Sequence, residues 1–373
     1  MRIVALDLGK GKSVACVFES LTGEHRFDAA PTTPEALQLM LEHYRPERVV
    51  IEISPLAGWV SDLVRGLGME LQVAHVNPEA WRWRNVKRKT DRLDALKLAR
   101  RSAMNQLPLV HLPEAKIREW RGRIEYRQTL VVRRTAVKNR IRAILAVHAL
   151  RMPPGKSGWS QRVITGLREQ ARPLSELGPE ELWRGELDRE LQQLGQLQQL
   201  LRQVDERLDG LAAGDPRVGL LETIPGVGKR LAEMVVTVID DPHRFRNGKQ
   251  VGAYVGLTPR PYQSGAMDRR GRISGQGHRH LRARLVEVSG LGLRYHAWMR
   301  EVYEPVSRGS PVRRKAAICA VARRLLVRGW AMLRDGTPWQ GPPPRRKPMA
   351  EAACPDGFSP PESTGPLRHA DVF

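Results

Sequence analysis

Two short apolar segments each carry one carboxylate. Asp7 stands within RIVALDLG (2–9), and Glu52 holds the matching place near the end of RVVIEIS (48–54). Burying a lone carboxylate is costly, so a charge kept there has a cation, a metal or several hydrogen-bond donors beside it. Further along, RKTDRLDALKLAR sets Asp91 and Asp94 three residues apart. On a helix that spacing puts both on one face, about 60° apart. Four carboxylates of this kind are hard oxygen ligands suited to Mg²⁺, with Mn²⁺ as the alternative. Such an ion activates a nucleophile and neutralises a leaving oxygen in phosphodiester chemistry. Each position also has a plainer explanation. Asp91 and Asp94 suit the first turn of a helix, where negative charge meets the positive dipole end. Asp7 suits a strand-end turn and Glu52 an arginine partner. Two apolar strands with one carboxylate each, followed in order by an Asp-x-x-Asp helix, favour the metal.

A second set of residues lies in the C-terminal third. Ser264 falls in Gln263-Ser264-Gly265, between Pro261 and an arginine run that includes Arg269, Arg270 and Arg272. A hydroxyl there attacks a phosphodiester if its proton is removed and a metal or arginine meets the developing charge. Turn chemistry selects the same residue type, and on physical grounds alone Ser274 and Thr258 are no worse placed. His278 and His280 are candidate bases, although His among arginines commonly contacts phosphate. In LLETIPGVGKRLAEMVV (220–236), Pro225, Gly226 and Gly228 form a tight turn between two apolar-periodic helices. The turn resembles a helix-hairpin-helix element. It leaves backbone N–H groups and a helix N-terminus for a phosphate, with Lys229 and Arg230 adding charge; packing alone also selects such turns. Gly11-Lys12-Ser13 and Gly155-Lys156-Ser157 imitate the end of a phosphate loop. Leu6 and Leu150 stand where its first glycine is required, so no ATP site is assigned.

The elements that must position these groups follow from periodicity. RIVALDLG reads as a central strand, and VACVFES (14–20), LTGE and HRFDAA (25–30) read as a hairpin. TPEALQLMLEHY (33–44) is helical behind a Thr start signal. RVVIEIS is a buried strand, followed by a helix near 58–67 and a strand at ELQVAHV (70–76). Three strands, helix, strand, helix, strand, helix is the order of a ribonuclease H-like α/β domain, expected over 1–104. A basic helical region and linker follow over 105–160, ending in the Pro, Gly and Ser cluster MPPGKSGWS (152–160). Over 161–214, Leu182, Leu187, Leu191, Leu194, Leu197, Leu201, Leu208 and Leu211, with Val204, advance mostly by three or four. This is a coiled-coil or helical-hairpin signal, or else an amphipathic helix packed on its own domain. A mainly α-helical domain is expected over 215–336. The remainder, 337–373, holds nine prolines in 37 residues and is expected to be disordered.

Composition narrows the function classes. A chain of 373 residues, 41% apolar, exceeds what one core usually holds, so two folded domains plus connectors are expected. No stretch approaches the roughly 18 uninterrupted apolar residues of a membrane span, so a soluble, unexported, cytoplasmic protein is expected. Cys16, Cys319 and Cys354 are too scattered for a zinc site or a disulfide framework. The net charge is +22 and uneven: residues 82–151 carry +15, residues 269–328 carry +12, and the rest is −5. Cationic charge at this density calls for a polyanion, and counterion release makes nucleic acid the natural one.

Taken together, Asp7, Glu52, KTDRLDALKLAR, TIPGVG, KQVGAYVGLTPR, QSG, RGRIS and KAAICAVARRLLVRGWAMLR resemble the DEDD transposases of the insertion-sequence one-ten family. The likeness runs from about residue 1 to 336, with the motifs in the family's order. It implies a RuvC-like N-terminal domain and a C-terminal transposase domain joined by a coiled coil. It also implies insertion and excision of a mobile element in double-stranded DNA, guided by a non-coding bridge RNA. Carried over by motif, Asp7, Glu52, Asp91 and Asp94 would bind Mg²⁺, and Ser264 would form a transient phosphoserine link. A homo-oligomer, dimer to tetramer, is implied, with no membrane. The family often has Gly-Asn where this chain has Gly277-His278. Two rivals are a metal-dependent Holliday-junction resolvase or nuclease that leaves Ser264 idle, and a noncatalytic packaging protein.

Overall fold

The computed structural model describes residues 1–75, 90–264 and 267–341; for 261–264 and 267–270 only the backbone course is used. The tail beyond 341, where most of the expected disorder falls, and the basic stretch 76–89 lie outside the described residues. The first strand, β1 (Arg2–Leu8), buries Ile3, Val4, Ala5 and Leu6 completely, as a strand covered on both faces must. It pairs antiparallel with β2 (Lys12–Glu19), which pairs antiparallel with β3 (His25–Pro31). On its other side β1 runs parallel to β4 (Arg48–Glu52), and β4 runs parallel to β5 (Glu70–Ala74), giving the order β3-β2-β1-β4-β5.

Strand alternation divides the side chains between two layers. Val4, Leu6, Val49 and Ile51 face α1 (Pro34–Tyr44) and α2 (Ala57–Gly66), where they meet Leu37, Leu41, Val60 and Val64. Thr33 starts α1 by accepting a hydrogen bond from the Ala36 amide, as the Thr signal predicts. Ile3, Ala5, Cys16 and Val50 face the opposite way, against Ala95, Leu98 and Ala99 of α3 (Asp91–Ala103). The strand, helix and hairpin order expected from periodicity is therefore observed throughout this half.

Two long helices follow, α4 (Ala115–Val147) and α6 (Leu182–Ala213), with α5 (Gln161–Gln170) between them. They lie on either side of the boundary expected near 160 and pack on each other. Leu187, Leu191, Leu194, Leu197 and Leu201 cover Leu130, Val137, Ile141 and Leu145. The leucine stripe of α6 thus has its partner within the same chain. Arg127 reaches Asp205 at 2.6 Å and Arg140 reaches Glu186 at 2.8 Å, which sets the pair antiparallel. The 152–160 cluster folds back on α4, with Lys138 4.5 Å and Arg142 5.1 Å from the centre of the Trp159 ring.

The last core gathers α7 (Pro216–Glu222), α8 (Lys229–Ile239), α9 (Gly248–Tyr254), α10 (Arg279–Gly292), α11 (Ala297–Ser307) and α12 (Arg314–Asp335). Trp120 of α4 and Leu208 of α6 enter it, so the long pair joins this core. This part is mainly helical, as expected, but it also holds a two-stranded ribbon, β6 (Pro259–Ser264) with β7 (Met267–Ile273). Prolines 259 and 261 argue against a strand, yet in a ribbon each strand has an open edge that tolerates them. Among the described residues no helix is long and apolar enough to cross a membrane.

Candidate functional site

Asp7 shares its face of β1 with Ile3 and Ala5, and Glu52 shares its face of β4 with Val50; both therefore belong to the face that α3 covers. The register Leu6↔Ile51 makes the two carboxylate positions neighbours on adjacent strands. The direction of α3 is set at its far end. Arg48, at the start of β4, donates to the Ser102 carbonyl at 3.3 Å, and the Ser102 hydroxyl donates to Gln72 on β5 at 2.8 Å. From Ser102 back to Asp94 is about 12 Å of helix, and from Arg48 forward to Glu52 is about 13 Å of strand. The N-terminal end of α3, with Asp94, therefore lies toward the end of β4 that carries Glu52. Asp7, Glu52 and Asp94 are half-buried and Asp91 is exposed.

The helix-cap explanation for Asp91 and Asp94 is satisfied at the same time. Thr90 caps α3 by accepting from the Leu93 amide, and both aspartates lie in the first turn. The four carboxylates share one end of one layer. Among the described residues no three His, Cys, Asp or Glu side chains stand close enough together to hold an ion.

Ser264 is the last paired residue of β6, opposite Met267, and so stands at the tip of the ribbon instead of in an open loop. Arg269 pairs with Tyr262 and Arg270 with Pro261, while Arg272 is exposed nearer the base. Thr258 and Ser274 are at that base, where the Ser274 amide donates to the Thr258 carbonyl at 2.8 Å. Arg282 braces the same junction by donating to the carbonyls of Val255 and Gln276. Gly256 and Gly277 have φ of 75° and 74°, and a Cβ at either would sit 2.0 Å from a facing carbonyl oxygen, so only glycine fits. Among the described residues the ribbon packs chiefly on itself, and no element bearing the carboxylates is among its principal neighbours.

The turn at 223–228 joins α7 to α8. Pro225, Gly226 and Gly228 are exposed, and Gly226 has φ of 85°. The first turn of α8 has no side-chain cap. Lys229 reaches Asp209 at 3.3 Å. Arg230 is held by Asp205, Asp209 and Glu233, and so fastens α8 to α6. Glu233 is 1% exposed, and burial pushes its carboxyl above the usual range even though Arg230 opposes the shift. Removing Arg230 leaves that carboxyl without its cation. Arg230→Ala is therefore expected to cost about 3 kcal/mol in denaturant unfolding at neutral pH, with Glu233→Gln recovering part of the loss. Because the folded pKa is raised, Glu233 contributes most below its unfolded pKa. Its contribution is lost as pH rises through the folded value, so the stability of Arg230→Ala should improve on mild acidification.

Several arginines bind the chain itself. Arg121 donates to the Thr237 carbonyl at 2.7 Å, Arg244 to Ile239 at 3.0 Å and Arg217 to Asp240 at 2.9 Å. They cap the C-terminus of α8, where cations are favoured. His111 joins Asp240 at 2.7 Å, and Arg118 pairs with Asp62. No spacing pattern distinguishes these arginines from exposed ones. His278 starts α10, its Nδ1 accepting from the Leu281 amide at 3.2 Å. It thereby caps the helix.

A mixed sheet carrying acidic residues, ahead of a mostly helical remainder, is the build of a DEDD nuclease-like protein. A family model for the DEDD transposases of IS110, described as Transposase, matches residues 4–149. A second, described as Transposase IS116/IS110/IS902 family, matches residues 218–304. The chain belongs to the IS110 family of transposases. It is 30% identical to a probable family 20 transposase of Pseudomonas aeruginosa over 214 residues, 56% of this chain and 61% of that one. It is 33% identical to the pilin gene-inverting protein of Moraxella lacunata over 127 residues, 33% of this chain and 38% of that one. With a putative transposase of Sinorhizobium fredii the identity is 26%, over 79% of this chain and 78% of the relative. The match thus spans less than two thirds of the length of the first two relatives.

Proposed function

We propose that this chain is a DNA transposase, a site-specific recombinase that cuts and rejoins DNA by strand transfer. The observation that carries the proposal is the arrival of Asp7, Glu52 and Asp94 at one end of one sheet face, in a chain whose two halves each match this family. The order β3-β2-β1-β4-β5, with β2 alone antiparallel to both neighbours, supports a RuvC-like, ribonuclease H-type reading of the first half. A relative named for gene inversion supports recombination over simple cleavage.

In kind, the donors fit Mg²⁺: Asp7, Glu52, Asp91 and Asp94 offer only carboxylate oxygens. Held by them, the ion would supply charge neutralisation at a scissile phosphate. Ser264 supplies the hydroxyl. Its oxygen forms a bond to phosphorus, the bond from phosphorus to the DNA oxygen breaks, and the proton lost by serine ends on the departing DNA hydroxyl. A second DNA hydroxyl then displaces serine, so the phosphodiester count is conserved. Arg269, Arg270 and Arg272, on the ribbon with Ser264, supply cationic charge to the phosphate. The ribbon and the carboxylate layer are not principal neighbours within the chain, which supports a composite site built from two protomers of a dimer or tetramer. The same separation suits the rival reading, a resolvase or nuclease in which the carboxylates act without Ser264.

Gly226, Gly228, Lys229 and, to the extent that its acidic partners release it, Arg230 contact the nucleic-acid backbone. The remaining basic surface holds a bridge RNA through phosphate and sugar, leaving sequence choice to base pairing. The test uses the full chain, Mg²⁺, and a plasmid carrying the element with its flanking DNA. Rejoined junctions should appear on adding the flanking transcript and be absent without it. Cut, unjoined DNA that is indifferent to the transcript would contradict the proposal.

A further inference from the structure

Beside the 223–228 turn, α4, α8 and α10 enclose a cavity of about 410 Å³. That is within the roughly 300–1,000 Å³ of small-molecule sites. Its walls are apolar on three sides: Ile124 from α4, Leu231 and Met234 from α8, Val288 from α10. Its polar lining includes Glu125 and Gln128 of α4 with His278 and His280 beside them, and the charged Arg127, Glu233, Arg284 and Glu287, with the start of α8 at the rim.

Two of these groups are poised for a third partner. His278 Nδ1 accepts from the Leu281 amide, so the ring proton resides on Nε2. Nε2 stands 3.8 Å from Glu125 Oε1, beyond hydrogen-bond reach, leaving a donor and an acceptor side by side without satisfying each other. Burial lowers the His278 pKa, so the imidazole stays neutral and keeps one donor at neutral pH. A bare anion has no use for the apolar walls, and an aliphatic ligand has none for the paired donor and acceptor. A flat heterocycle with apolar faces and a polar edge uses both.

We propose that this cavity receives one nucleobase turned out of a nucleic-acid strand whose backbone lies on the 223–228 turn. The inference rests on the nucleic-acid contact proposed above for that turn and not on strand transfer. The base would lie between the apolar side chains of α8 and α10, with its edge toward His278 and Glu125. Its phosphate would reach the uncapped amides at the start of α8. DNA and RNA offer the same base chemistry, and the experiment separates them.

The full chain is titrated with single strands of DNA and of RNA in which adenine is replaced by 2-aminopurine, and with base-free strands of equal length. On binding, emission should rise for at least one of the two probes as the base leaves its stack, and the larger rise identifies the source. The base-free strand should bind about tenfold more weakly. Val288→Trp, which fills the cavity, should abolish the emission rise while salt-dependent binding persists. If Val288→Trp fails to fold, the comparison of intact and base-free strands on the wild-type chain still decides. Equal binding of base-free strands, or a rise that survives Val288→Trp, overturns the base site alone. No binding of any strand overturns the base site and the nucleic-acid contact together. Loss of strand transfer with these binding results intact overturns only the catalytic reading.

Discussion

Ser264→Ala is expected to abolish the joining of DNA strands, lowering strand transfer by at least about 10³-fold, as deletion of a covalent nucleophile does. Water cannot stand in for the lost hydroxyl. Hydrolysis would discard the phosphodiester bond that the proposed serine link would preserve for the second displacement, so the variant should neither join strands nor carry DNA. Position supports the choice among hydroxyls. Ser264 ends β6 at the ribbon tip, whereas Thr258 and Ser274 are bound into its base through the Ser274 amide and the Thr258 carbonyl. Thr258→Ala and Ser274→Ala keep those backbone bonds and should retain near wild-type transfer in the same assay. The rival nuclease predicts the opposite for Ser264→Ala: cleavage at the wild-type rate.

Asp7→Asn and Glu52→Gln are expected to lower transfer by about 10³-fold each, equivalent to about 4 kcal/mol of transition-state stabilisation. Both substitutions keep shape and remove charge at half-buried positions on adjacent strands. Thermal unfolding should stay near that of the wild-type chain. On the proposal that the two hold one ion, the double variant should lose far less than the product of the single losses. Asp94→Asn divides the two explanations for α3. If Asp94 serves only the helix start, the cost is about 0.3–1 kcal/mol of stability with transfer unchanged. The proposed metal role of Asp94 predicts loss of transfer instead.

Much of this arrangement is legible in the sequence, and the reasons are local. The unbroken apolar run Ile3 to Leu6 marks a strand, and Thr33 marks a helix start. The order of these elements places Asp7, Glu52 and Asp94 without any long-range information. What stays hidden depends on partners distant in the chain. The stripe on α6 announces an apolar face but not that α4 covers it. Pro259 and Pro261 conceal the ribbon, so Ser264 reads as a loop residue. Arg121, Arg217, Arg230 and Arg244 count among the 62 basic residues, although their guanidinium groups hold helix ends and carboxylates. Only folded geometry separates an arginine that braces α8 from one that meets phosphate.

The account stands or falls on whether the carboxylate layer and the ribbon tip act on one phosphorus atom. Wild-type chain incubated with Mg²⁺, element DNA and the transcript, then digested and weighed by mass spectrometry, addresses this directly. A nucleotide joined through phosphate to the peptide containing Ser264, and missing when Asp7→Asn is used, is the predicted result. Cleaved DNA free of protein, or a link on any other residue, would contradict it.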